Sequence, residues 1–234
     1  MSIAEIRKEI KKQANPKHAV ILQRFFKTGK GEYGEGDVFY GIKMPEQRII
    51  AKQFKDLSTT ALKLLINSKI HEERLIAALI LVDQYKKGDE KKKKLILKFY
   101  LENIKGINNW DLVDLSSPQI IGEHLLDKEK GLIYKFAHSK DIWKRRIAVL
   151  STFTFIKNHL FEDTLNISEI LLNDKHDLIH KAVGWMLREV GKRDLEIEEE
   201  FLLKHYKTMP RTMLRYAIEK FPEKKRKDYL EGRI

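Results

Sequence analysis

Residues 74–79 read RLIAAL, residues 145–150 read RRIAVL and residues 181–186 read KAVGWM. Each stretch opens on a basic residue, continues through apolar side chains and places a small residue at the same point: Ala77, Ala148 and Gly184. The spacings are 71 and 36 residues. A unit of about 36 residues is the length of a two-helix solenoid repeat, in which each pair buries its apolar face only by stacking on its neighbours. The small residue is expected to let neighbouring helices approach closely. A fold class follows: all-α, a superhelical stack of antiparallel helix pairs.

Outward from these stretches, apolar residues recur at helical spacing almost without a break. The pattern predicts helices over 71–87, 90–103, 110–126, 141–158, 162–172, 176–192, 197–206 and 212–221, and a last one from Glu223. Pro45 is placed to open a helix that runs to Phe54, and Ser58 to cap the next. Strand signals are nearly absent, because DVFYGI (37–42) is short and runs on towards Pro45. Five of the twelve glycines fall between Gly29 and Gly41, which marks one long loop. Connections elsewhere are short, as between antiparallel helical neighbours. Residues 1–234 are read as a single domain.

Composition narrows the function classes. Lys and Arg exceed Asp and Glu by twelve, and the net charge of +12 favours an anionic partner, nucleic acid before a membrane. There is no cysteine, so disulfides, thiolate catalysis and cysteine-held clusters are excluded. The first residues alternate charged with apolar side chains, unlike a secretory signal, and no apolar run reaches membrane-spanning length. A cytoplasmic protein is expected.

Several motifs have ordinary explanations. Gly29, Gly31 and Gly34 spell G-x-G-x-x-G, but a helix precedes them where a dinucleotide site needs a strand, so they read as loop. His176 and His180 share a helix face, yet Asp177 stands where a zinc protease needs Glu and no third ligand is evident, so a structural pair is expected. The runs 91–94 (KKKK) and 224–227 (KKRK) read as exposed basic faces able to meet phosphates.

The informative cluster is NNWDLVD at 108–114, with DIWKRR at 141–146 and KAVGWMLR at 181–188. Trp110 and Asp114 are four apart and share a helix face, as do Trp185 and Arg188, three apart. All three tryptophans fall in what the repeat makes equivalent stretches. Together they predict one wall of aromatics, cations and a carboxylate. Aromatic faces attract a sugar or a cationic base. Arg145, Arg146 and Arg188 can meet phosphates. One carboxylate can stabilise an oxocarbenium-like sugar. Glycoside hydrolysis ordinarily needs a second carboxyl to protonate the leaving group, but a base alkylated at a ring nitrogen is already cationic and leaves without it.

At these residues the chain resembles the AlkD-like DNA alkylation repair glycosylases. VFYGIKMPEQR, NNWDLVDLSSP, IWKRRIAVLSTF, DKHDLIHKAVGWMLREVGKRD and MPRTMLRYAIEKF carry the likeness, over roughly residues 20–230. The resemblance implies HEAT-like repeats with a concave basic groove that grips duplex DNA. It implies a probe of backbone and sugar rather than a deep base pocket, no metal or other cofactor, and release of positively charged N3- and N7-alkylated purines. By it Asp114 is the catalytic carboxylate, assisted by Trp110. Trp110 and Trp185 are the aromatic walls, Arg146 is the phosphate-binding arginine and Arg188 a second one. A monomer without membrane attachment is expected. The chain departs from some members in having Asn109 where they carry a second aromatic. Some relatives bind DNA without releasing a base, so a silent binder of bent or damaged DNA is the alternative to an enzyme. A protein-binding scaffold explains neither Asp114 beside Trp110 nor the charge.

Overall fold

A computed structural model describes residues 1–234. The chain is all-helical, and its one trace of β structure is an isolated parallel bridge between Val38 and Ile70. It divides into two compact units, Met1–Ile120 and Ile121–Ile234.

The first unit holds α1 (Ile3–Lys12), α2 (Pro16–Phe25), α3 (Met44–Gln53), α4 (Thr59–Ile66), α5 (His71–Lys87), α6 (Glu90–Glu102) and α7 (Trp110–Ser117). Side-chain caps start several of them: Ser2, Asn15, Ser58 and Asp89 each accept a backbone N–H of the first turn. α5 is the hub and packs on α3, α4, α6 and α7. Its first eight residues, His71 to Ala78, are all buried. The long glycine-rich loop lies between α2 and α3, as expected, and Gly31, Gly36 and Gly41 take positive φ within it.

The expected helix over 110–126 is interrupted. Pro118 has no N–H to donate to the carbonyl of Asp114, and the helix widens there into a π turn, Pro118–Gly122.

In the second unit follow α8 (Glu123–Leu125), α9 (Gly131–Ala137), α10 (Ile142–Lys157), α11 (Glu162–Ile170), α12 (Asp177–Gly191), α13 (Leu195–His205), α14 (Arg211–Ala217) and α15 (Glu223–Glu231). α9 is not among the helices expected from periodicity. It has seven residues, too few for a periodic signal to stand out. The helix expected to reach 221 ends at Ala217 and closes in a 3-10 turn over Ile218–Lys220. α12 packs on α10, α13 and α14, and α10 on α9 and α11.

The repeat has a physical basis in how three helices begin. Before α5, the Ser68 hydroxyl accepts from Ile70 N–H (3.1 Å) while Arg74 donates to the Ser68 carbonyl (2.9 Å). Before α10, Ser139 accepts from Asp141 N–H (3.1 Å) and Arg145 donates to the Ser139 carbonyl (2.9 Å). Before α12, Asp174 accepts from His176 N–H (2.8 Å) and the His180 ring meets the Asp174 carbonyl (2.6 Å). His180, rather than Lys181, therefore corresponds to Arg145, and the second spacing is one residue shorter than the apolar pattern indicates. The cap bonds set the start of each helix, and the apolar pattern, which runs in register with Gly184, does not reflect them. That glycine is itself required. A Cβ on it would lie 2.4 Å from the Met213 carbonyl and 2.6 Å from Tyr216 Cβ, so α12 and α14 meet at a point where only hydrogen fits.

Candidate active site

In the first unit the site is built around the start of α7. Asn109 caps the helix, its Oδ1 accepting the Trp110 N–H at 2.8 Å. Trp110 is the first helical residue and Asp114 follows one turn later; both are half-buried. The Trp110 ring stacks on Phe26, with centroids 5.2 Å apart and planes 10° off parallel. Phe25 meets Trp110 edge-on at 5.9 Å and is 62% exposed, so this aromatic cluster opens to solvent. Inward, Phe26 stacks on Phe39 at 5.0 Å, and Phe39 on the His71 ring at 4.5 Å. Each such pair adds about 0.5–1.5 kcal/mol beyond the area it buries.

Beneath the aromatics lies a buried charge network. His71 offers Nδ1 to Asp37 Oδ2 (3.1 Å) and Nε2 to Asp111 Oδ2 (2.8 Å). Asp37 also accepts from Arg74 Nη2 (2.7 Å) and from Asn109 Nδ2 (3.1 Å). Burial works against a charged His71, but the Asp111 carboxylate, its hydrogen bond and that of Asp37 outweigh it and raise the imidazole to about 9. Burial likewise opposes the Asp37 charge, and the His71 hydrogen bond with the Arg74 guanidinium overcomes it, holding the carboxyl below its ordinary range. Two cations face two carboxylates. Removing one member leaves an uncompensated buried charge, a loss on the order of 3–5 kcal/mol.

His71 begins a run of four buried charged residues, each tied to a different segment. The Glu72 carboxylate accepts the N–H groups of Tyr40 (3.0 Å), Gly41 (2.8 Å) and Ile42 (3.2 Å). Glu73 pairs with Arg7 of α1 at 3.0 Å. Arg74 joins Asp37 to the turn before α5. Through these four residues α5 clamps α1, the loop before α3 and the start of α7.

In the second unit, Trp185 is half-buried on α12, tilted against Phe153 of α10 at 5.8 Å, and its Nε1–H donates to Glu189 at 3.3 Å. Lys157 lies over the Phe153 ring at 4.3 Å. Arg146 is buried and donates to the Leu178 carbonyl at 2.5 Å. Arg145 is held by Asp174 (2.6 Å) and by the Ser139 and Lys140 carbonyls, and Arg188 pairs with Glu219. The three tryptophans do not occupy equivalent positions: Trp110 opens α7, Trp143 is the second residue of α10, and Trp185 sits at the middle of α12. Lys91, Lys92 and Lys94 are exposed on α6 and Lys93 is half-buried over the Tyr85 ring, while Lys225, Arg226 and Lys227 pair with Glu199 or Glu223. His176 and His180 both serve the start of α12, as the structural reading expects.

Asp37, His71 and Asp111 were not legible as site residues. Their side chains meet across 34 and 40 positions of sequence, and a charged run such as HEER ordinarily marks a solvated helix face. Asn109, which looked like a missing aromatic, is fully buried and used twice, as the cap of α7 and as a donor to Asp37. No helix is long and apolar enough to cross a membrane.

Among curated proteins none matches the chain. A solved structure described as "Predicted DNA alkylation repair enzyme from Enterococcus faecalis" superposes with a TM-score of 0.69 at 18% identity, over 90% of this chain and 98% of that one. At that identity the likeness concerns the fold. The family model for DNA alkylation repair enzyme matches residues 6–221, nearly the whole sequence, and the chain therefore belongs to the DNA alkylation repair enzyme family.

Proposed function

We propose that the protein is a DNA glycosylase that releases positively charged N3- and N7-alkylated purines from duplex DNA. The observation that carries this reading is Asp114 one helical turn from Trp110, on a helix whose first turn is held by a buried network and whose tryptophan joins a solvent-facing aromatic cluster. As the glycosidic bond breaks, positive charge grows on the deoxyribose. A fixed carboxylate favours that state over the ground state. The cationic base needs no proton to leave, so one carboxylate suffices. The exposed ring of Phe25 and the half-buried ring of Trp110 offer flat apolar surface to sugar and base. Trp185 is assigned the second aromatic wall on the strength of the family resemblance, as is the HEAT-like stack with a concave basic groove around the duplex. The net charge of +12 supplies the long-range attraction. Of the arginines, Arg146 is assigned the phosphate near the lesion by the same resemblance. All three are already engaged, Arg146 with the Leu178 carbonyl, Arg145 with Asp174 and Arg188 with Glu219, so it is the resemblance that ranks Arg146 first.

Duplex DNA methylated at guanine N7 is incubated with excess protein and free base is measured. Release by the parent protein and its loss in Asp114→Asn are expected. Tight, salt-sensitive binding without release would make the protein a silent binder of damaged DNA instead.

A further inference from the structure

His71 is 1% exposed, and each ring nitrogen faces a carboxylate: Asp37 from the glycine-rich loop at 3.1 Å and Asp111 from the first turn of α7 at 2.8 Å. A neutral imidazole has a single N–H and can donate to one of them; only the imidazolium donates to both. The other charged group facing the ring is Arg74, whose Nη2 lies 3.5 Å from Nδ1 and is drawn off by Asp37. Glu72 and Glu73, next on the same helix, are bonded to the 40–42 backbone and to Arg7. The ring face of His71 is covered by Phe39 and touched by Phe26, and the opposite partner of Phe26 is Trp110. One side chain thus reaches the start of α7 by two routes, a hydrogen bond to Asp111 and a stack of rings that ends on Trp110.

We propose that His71, as a cation bridging Asp37 and Asp111, is a positioning residue for base release: it sets the angle of the first turn of α7, and through it the pose of Trp110 and Asp114. The inference rests on the roles given to those two residues above. His71 touches neither base nor sugar. Losing its proton forces a choice between two carboxylates: giving up Asp111 takes from that carboxylate the cation beside the helix start, and giving up Asp37 leaves Asp37 to Arg74 and to Asn109, the cap of the same helix. The first turn then shifts, and the carboxylate one turn on shifts with it. A displacement of about 1 Å in a catalytic group is enough to cost up to about 100-fold in rate. Raised as it is to about 9, the imidazole stays charged at neutral pH and loses its proton on the alkaline side.

Two measurements test this on the full chain. In the first, the His71 ring nitrogens and the Trp110 indole N–H are followed by NMR from pH 6.5 to 10. Both are expected to move together, with a midpoint near 9. A His71 already neutral at pH 7.5, or a Trp110 signal that ignores its titration, overturns the proposal whether or not the protein releases any base. In the second, His71→Gln, which keeps one donor and one acceptor, is compared with the parent in single-turnover release of 7-methylguanine. With helicity intact, the rate is expected to fall by about 10- to 100-fold while DNA affinity stays within about threefold, and the alkaline fall of the parent's rate near pH 9 is expected to vanish. If His71→Gln does not fold, Asp37→Asn takes its place: the same fall in rate is expected, and, because His71 keeps Asp111 but loses one partner of its charged form, the alkaline fall moves to lower pH instead of vanishing. A folded variant that keeps the parent's rate overturns the proposal. If the parent releases no base, the functional reading fails, and the NMR result still decides whether His71 positions Trp110.

Discussion

Asp114 can be replaced by an isosteric neutral group, which makes its role separable from its shape. Asp114→Asn is expected to lower base release by about 10²–10³, some 3–4 kcal/mol, the scale for one preorganised electrostatic group. DNA affinity should hold or improve, since the change removes a negative charge near phosphates. Trp110→Ala should cost less in rate, because Phe25 remains at the site, and should also lower stability through the lost stack on Phe26. Single-turnover rates beside equilibrium binding separate these outcomes. At this scale the sequence made Trp110 and Asp114 visible, because four positions on a helix is a local relation. It hid Asp37, His71 and Asp111, whose relation exists only after α5, α7 and the loop have met. Arg145 shows the limit from the other side: a basic residue in the right stretch proves to be bonded to Asp174 and two carbonyls.

Among the elements, α12 is the most informative. Gly184 is the small residue of its repeat in the sequence, and the structure gives it a neighbour, α14, whose backbone a methyl group would strike at Met213. Gly184→Ala is therefore expected to destabilise the protein by about 1–3 kcal/mol, the usual cost of overpacking, despite the better helix propensity of alanine. Denaturant unfolding followed by circular dichroism measures it; an unchanged midpoint would mean that α14 can move aside at no cost. Most helices were legible to within a residue or two because their apolar periodicity is long. The departures have local causes that hydropathy does not register: a proline without an N–H at 118, a seven-residue helix at 131–137, and serine and aspartate caps that shift a repeat by one.

For the molecule as a whole, two buried groups make stability depend on pH in the same direction. His71 binds its proton more tightly folded, at about 9 against an ordinary 6.5, so its contribution is complete below 6.5 and is lost as pH rises through 9; the shift corresponds to about 3 kcal/mol. Glu198 is buried on α13, and that burial, with the neighbouring Glu199 and against the pull of Arg188, raises its carboxyl to about 8. Folding then requires a neutral acid, and stability declines as pH rises from 4.5 towards 8 and the folded protein must hold a charge there. Unfolding free energy should therefore fall between pH 6.5 and 9, and Glu198→Gln should be more stable than the parent at pH 9. A flat profile across that range would contradict both assignments. The clamp made by residues 71–74 has a consequence for how the first unit opens. Tyr40, Gly41 and Ile42 lie in no regular element, yet all three amides end on the Glu72 carboxylate, which is rooted in the buried start of α5. Deuterium should enter these irregular amides as slowly as it enters α5 itself, since releasing them demands that the helix come away, and the loop and the helix should open as one cooperative unit.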